Sequence, residues 1–429
     1  MSTTIHIKIE DVAELKNKIL SWSKKYNTVA ILDSNNYKKD KFSENEYIAG
    51  IGVLDEISIE TNTNSFNKLA EFTKNNKSYI FGFLSYDLKN EIEDLISENT
   101  DNLYFPKLHF FVPQYILKIN NNILSIISKN KNNIIKEIEE ENIEIEEEIL
   151  SNNFMSIFSK EKYIETVNNI KKNIQIGNIY ELNFCQEFYT KPKKILPEKI
   201  FKNLIAISPT PFSSFYKFNN YYLIGASPER FIAKRDNKIL SQPIKGTIKR
   251  SSNNKTDLKL KTQLSTDTKE ISENVMIVDL VRNDISRIAK KGTVNVDELF
   301  GIYTFPQVHQ MISTISAEIK ENVSNIDILK NMFPMGSMTG APKIRAMKLI
   351  EQYEQSMRGL FSGTVGYFSP NGNFDFNVVI RSLLYNLKEK YLSFQVGSAI
   401  TINSDAEKEY NECIVKAKAI LKVLNGTII

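Results

Sequence analysis

SKEKYIETVNNIKKNIQIGNIYELNFCQEFY, residues 159–189, changes period halfway along its length. Tyr163, Val167, Ile170 and Ile174 recur at helical spacing, and Gly177 suits the stop that follows. From Ile179 to Tyr189 the side chains alternate instead. Tyr180, Leu182 and Phe184 share one face, and Glu181, Asn183 and Cys185 share the other. The chain is thus expected to mix helices with strands that use both faces.

Upstream, Ile5–Ile9 alternates with period two, Lys77–Leu84 reads as a buried strand, and Ile116–Ile127 as one or two more. Ile134–Leu150 (IIKEIEEENIEIEEEIL) shifts to Glu and Ile and reads as a solvated, partly helical connector. An organisational boundary is placed there, giving regions 1–150 and 151–429. Downstream, Lys269–Lys290 reads as a long, mostly buried helix. Pro342–Tyr353 carries Ala346, Leu349, Ile350 and Tyr353 on one stripe. Ser404–Leu424 opens with Ser404 and Glu407 in capping-box spacing. Leu360–Phe368, Phe376–Asn386 and Leu392–Val396 are strand candidates.

The near balance of 55 basic and 51 acidic residues gives no electrostatic case for a nucleic acid or an anionic membrane as partner. Two cysteines, Cys185 and Cys413, exclude a disulfide framework and predict a reducing compartment. The start lacks a basic stretch followed by an apolar one, and no apolar run approaches a membrane span, so a soluble cytoplasmic protein without a signal peptide is expected. With three histidines in all, a His-based zinc or iron site is disfavoured.

Glu270 and Glu273 are spaced i, i+3, as are Glu409 and Glu412, so each pair projects from one helix face. Two such helices facing each other would make an all-oxygen site suited to Mg²⁺; a solvated helix face is the alternative. Glu229, in SPERF (227–231), could be a general acid if burial raises its pKa, or a turn glutamate paired with Arg230. Lys245, in PIKGT (243–247), could be a nucleophile if burial or a cation strips its proton, or a snorkelling surface lysine. GSMTGAPK (336–343) is a glycine-bounded turn opening a helix, open to an anion, though without the Walker order.

Together, GNIYELNFCQ (177–186), ASPERF (226–231), QPIKGTIKR (242–250), ENVMIVDLVRND (273–284), GSMTGAPKIRAMKLIE (336–351), SGTVGY (362–367), VIRSLLYN (379–386) and SDAEKEYNE (404–412) resemble the chorismate-utilising enzymes. The resemblance covers roughly 160–415. It implies an α/β (α+β) fold of two packed antiparallel sheets with outer helices. It implies Mg²⁺ held by Glu273 and Glu412, with Glu270 and Glu409 assisting. Glu229 would protonate the departing 4-hydroxyl of chorismate. Tyr367, Arg381, Gly397, Lys343, Thr339 and Thr247 would bind substrate, and His309 would lie near the ring.

Within the family, PIKGT resembles the aminodeoxychorismate synthase component I type, whereas anthranilate synthases read PIAGT. Lys245 would then add at C2, and ammonia would displace it by attack at C4. A separate glutamine amidotransferase subunit would supply the ammonia, since no GxCxG nucleophile elbow is present. The alternatives are anthranilate synthase component I and a non-catalytic homologue. Glu181 departs from the family's Lys or Gln at that place, Gly397-Ser398-Ala399-Ile400 from GAGI, and Asp405-Ala406-Glu407 from DPE. Ile31-Leu32-Asp33-Ser34 resembles an element that lines a tryptophan site in some relatives.

Overall fold

A computed structural model of the protein describes residues 3–37, 40–61, 63–128, 134–142 and 153–429. Two long strands, Tyr47–Ile59 and Leu108–Asn120, organise it. Both contribute to two sheets, because different halves of Leu108–Asn120 pair with different neighbours. The first sheet runs from these strands through Thr28–Asp33, Phe212–Phe218, Tyr221–Ser227, Ser382–Asn386 and Tyr391–Ile400 to Glu181–Thr190. The second runs through Ile80–Leu84, Thr364–Phe368, Phe374–Val378, Arg230–Arg235 and Lys238–Gln242 to Val308–Glu318, which also pairs with Ile244–Lys249. All these pairings are antiparallel.

The sheets pack face to face, with Phe83 of one set edge-on to Tyr216 of the other at 5.2 Å between ring centroids. Period-two alternation feeds two cores at once. On Thr28–Asp33, Ala30 joins the core between the sheets, while Val29 and Ile31 join a second core on the outer face of the first sheet. Helices Val12–Ser23, Lys160–Gln175, Pro197–Ile207, Lys343–Tyr353 and Ala406–Val423 cover that outer face. The expected fold class is therefore the observed one.

Several element boundaries differ from expectation for local reasons. Ala406–Val423 is capped by Asp405, whose side chain accepts from Lys408 N, while Ser404 turns back to Thr401 N and Ala399 O. The single strand expected over 376–386 is two, Phe374–Val378 and Ser382–Asn386, broken where Arg381 takes a left-handed φ of 50°. Thr268–Ser286 is buried along one stripe only; Val275 is 40% exposed. The acidic connector begins as the helix Ile134–Glu139, and its part from 143 onward, with the boundary at 150, lies outside the described residues. Among the described residues no helix is long and apolar enough to cross a membrane.

Candidate active site

Where the Glu181–Thr190 and Tyr391–Ile400 strands approach Ile244–Lys249, an open cleft of about 950 Å³, its mouth included, enters the molecule. Two helices aim their first turns at it. Thr268–Ser286 is capped by Asp267, which accepts from Lys269 N and Glu270 N, and brings Glu270 and Glu273. Ala406–Val423 brings Glu409 and Glu412. Glu270 and Glu409, each in the first turn of its helix, meet the positive end of that helix's dipole. All four line the cleft, as the i, i+3 spacing requires of two facing helices.

The four carboxylates fit a hard cation such as Mg²⁺ by donor chemistry. Glu273 Oε1 is buried with no hydrogen-bond partner among the described residues, and burial pushes the Glu273 carboxyl up to about 7. The Lys269 ammonium stands beside them, 3.3 Å from Glu409 and 3.7 Å from Glu273, as a stand-in positive charge. Among the described residues no three of these groups close on one point.

Opposite the carboxylates lie Glu229 and Lys245. Glu229 is buried in the turn before Arg230–Arg235. Burial raises its carboxyl to about 7 against the opposing influence of Ser337, Lys245 and Arg381, and Ser337 Oγ donates to it at 2.6 Å. The pairing with Arg230 offered by the sequence does not form. Arg230 instead closes a network with Asp40 and Asp375 on the far side of its strand. Lys245 is buried, and its Nζ donates to Glu181 Oε1 at 2.7 Å. Burial alone would favour the neutral amine, but Glu181, Glu273 and Glu229 outweigh it and hold the lysine above its ordinary pKa. Burial by itself therefore does not strip this proton, and the alternative of a snorkelling surface lysine is overturned, since the side chain is buried.

Thr247, Arg381 and Gly397 also line the cleft. Arg381 is held in its left-handed conformation by a carbonyl that accepts from Ala226 N. Among the described residues no hydrogen bond or ion pair closes on its guanidinium, and Glu229 is the charge it feels. A strained arginine with no partner is suited to an anionic ligand. Gly397 lies opposite Cys185 in the sheet, and a Cβ there would strike Cys185 Sγ and Phe184 O, so no other residue fits the wall.

Four residues named from the sequence lie elsewhere. On Val308–Glu318, Gln310 faces the cleft across from Thr247, so the adjacent His309 faces away. His309 bonds Asp257 at 3.1 Å and Thr304 at 3.0 Å. Lys343 reaches back to Asp284 at 2.9 Å, and the Thr339 hydroxyl donates to Gly336 O at 3.1 Å. Tyr367 lines a second cavity with Asp33, Ser34 and Asp375, its hydroxyl accepting from Asn45 at 2.9 Å. The 336–343 turn serves the cleft through Ser337 and Met338. Sequence reading passed over Ser337, Gln310, Asn183 and Lys416, whose Nζ bonds Glu412 and Gly397 O at 2.7 Å each. Lys416, four residues after Glu412 on one helix face, was the one with a readable signal.

Residues 28–422 match the profile of the chorismate binding enzymes. The chain is 33% identical over 352 residues to an anthranilate synthase component I-like protein of Synechocystis, covering 80% of this chain and 72% of that protein. It is equally 33% identical over 347 residues to aminodeoxychorismate synthase component 1 of Escherichia coli, covering 80% and 76%. The crystal structure of anthranilate synthase component I from Streptococcus pneumoniae superposes with a TM-score of 0.77 at 25% identity, over 92% of each chain. A cleft built from residues scattered over the matched region, and these likenesses across nearly the whole chain, lead to one conclusion: the protein belongs to the chorismate binding enzyme family.

Proposed function

We propose that the chain is component I of an aminodeoxychorismate synthase, converting chorismate and ammonia to 4-amino-4-deoxychorismate. One observation carries this reading. Lys245 presents an amine inside the cleft that also holds Glu229 and the four-carboxylate cluster. A nucleophile and an acid of raised pKa on one cavity suit displacement at one ring carbon with departure of a hydroxyl from another.

In this reading Arg381 binds a carboxylate of the substrate, and Thr247 and the Gly397 backbone help place the ring. Glu229 gives its proton to the leaving 4-hydroxyl, and Lys245 forms a transient bond to C2. Glu273 and Glu412 would hold Mg²⁺ with Glu270 and Glu409 assisting, and the ion would supply positive charge to the ring carboxylate. Ammonia would come from a separate amidotransferase chain. A role for His309, Lys343, Thr339 or Tyr367 would be indirect.

The test is product analysis with chorismate, Mg²⁺ and ammonium at alkaline pH, followed by addition of aminodeoxychorismate lyase. 4-Aminobenzoate formed only after the lyase supports the reading, with Lys245→Ala expected to lose it. Anthranilate formed without the lyase would transfer the chain to the anthranilate synthases, whose named members it matches as closely. No turnover, even with an amidotransferase partner supplied, would favour a non-catalytic protein.

A further inference from the structure

Resting on the reading that Lys245 is the nucleophile, we propose that Glu181 is the group that takes the Lys245 proton before attack and returns it afterwards. The two side chains are joined by a 2.7 Å hydrogen bond, with Glu181 wholly buried and Lys245 nearly so. An amine must be neutral to act as a nucleophile. The carboxylates around Lys245 come from four directions: Glu181 from its strand, Glu229 from the turn facing it, Glu270 and Glu273 from one helix, and Glu412 from the other. Among the described residues Glu181 is the one hydrogen-bonded to Nζ, so the proton has its shortest path there.

Glu181 is also fixed for the task. Its backbone pairs with Ala341, and Gly340 approaches so closely that a Cβ would strike Glu181 O. Its second oxygen, Oε2, is buried with no hydrogen-bond partner among the described residues. Lys245 Nζ is therefore the one hydrogen-bond partner of the Glu181 carboxylate among the described residues. The 2.7 Å hydrogen bond from Nζ to Oε1 is thus a direct path for the proton between the two groups.

The cycle balances. The Lys245 ammonium passes a proton to Glu181, leaving an amine and a carboxylic acid. The Nζ electron pair forms a bond to C2, the ring π electrons shift towards C4, and the C4–O bond breaks. The hydroxyl leaves as water with the Glu229 proton. Ammonia then bonds to C4, the π electrons shift back, and the C2–N bond pair returns to Nζ. The new C4 ammonium restores the Glu229 proton, and Glu181 returns its own to Lys245. The sum is chorismate plus ammonia to 4-amino-4-deoxychorismate plus water.

The experiment is a pH–rate profile of the full chain and its Glu181→Gln, Glu181→Asp and Lys245→Ala variants, with total ammonium adjusted so that free ammonia stays constant. For Glu181→Gln we expect kcat about 10²–10⁴-fold below wild type near neutrality, rising about tenfold per pH unit as solvent hydroxide replaces the lost base. Glu181→Asp, which keeps the carboxylate, should retain the shape of the wild-type profile at a lower rate. A Glu181→Gln profile parallel to wild type would mean that Glu181 only holds the lysine, and the proposal falls. A failure of the underlying reading looks different: wild type makes anthranilate, or Lys245→Ala still makes 4-amino-4-deoxychorismate.

Discussion

The protein contains two buried networks of acids and bases a few residues apart in sequence, and they are built on opposite terms. Around Arg230, one guanidinium and two carboxylates close on one another: Arg230 meets Asp40 at 2.7 Å and Asp375 at 2.9 Å, and Arg235 adds a second bond to Asp375. In the cleft the network stays open. Glu181 Oε2 and Glu273 Oε1 are buried without hydrogen-bond partners, and Arg381 has no ion pair, among the described residues. The first set completes itself when the chain folds, and Asp375 stays below the ordinary carboxylate range despite its burial because Arg230 and Arg235 outweigh it. The second is complete only when something else enters. Charge of the same chemical types thus stabilises in one place and awaits a ligand in the other.

The largest expected effect falls on the open network. Glu229→Gln removes the proposed acid and should lower kcat about 10²–10⁴-fold with little change in chorismate affinity, read by steady-state kinetics beside a binding titration. A change confined to KM would remove Glu229 from the chemistry. On the closed network, Arg230→Leu leaves Asp40 without its ion pair and Asp375 with Arg235 alone, and should cost about 3–5 kcal/mol in denaturant unfolding. A loss below about 1 kcal/mol would show that this network does not hold the sheet.

Smaller, and opposite in sign, is the effect of Glu229→Gln on stability. The Glu229 carboxyl titrates at about 7 when folded, above the 4.5 of a free glutamate, so the folded state holds its proton more tightly. Its contribution is therefore greatest below 4.5, falls as pH rises to about 7, and stays low above that. Glutamine removes the fall, so the variant's melting temperature should match wild type in acid and exceed it above neutrality. Equal shifts at both pH values would contradict the raised pKa. Smallest is Tyr367→Phe in the second cavity, which loses one hydrogen bond to Asn45. It should cost about 0.5–1.5 kcal/mol of stability and leave the KM for chorismate unchanged. A raised KM would extend the substrate site beyond the cleft.

What the sequence could reveal follows the same division. Glu270, Glu273, Glu409 and Glu412 were legible because helical spacing alone puts each pair on one face, although the cap of the last helix is Asp405 and not Ser404. Lys245 and Glu229 were visible only as candidates, since nothing local distinguishes a buried lysine from a snorkelling one. The partner that decides the protonation of Lys245 lies 64 residues away, on Glu181. His309 was misplaced relative to the cleft because a strand shows one of two adjacent residues, and which one depends on its register with Ile244–Lys249. Lys343 and Tyr367 were assigned to the cleft by motif, but their positions depend on long-range packing against Asp284 and Asn45. The two-sheet architecture itself depends on Tyr47–Ile59 and Leu108–Asn120 each serving both sheets, which no local period announces.

Those two bridging strands also govern how the gene could be cut. Ile80–Leu84, from the first part of the chain, lies between Leu108–Asn120 and Thr364–Phe368, while Thr28–Asp33 pairs with Phe212–Phe218. Each part thus fills a gap in the sheets of the other. Neither part closes its sheets alone, so a fragment ending before Phe212 would expose strand edges that its complement covers.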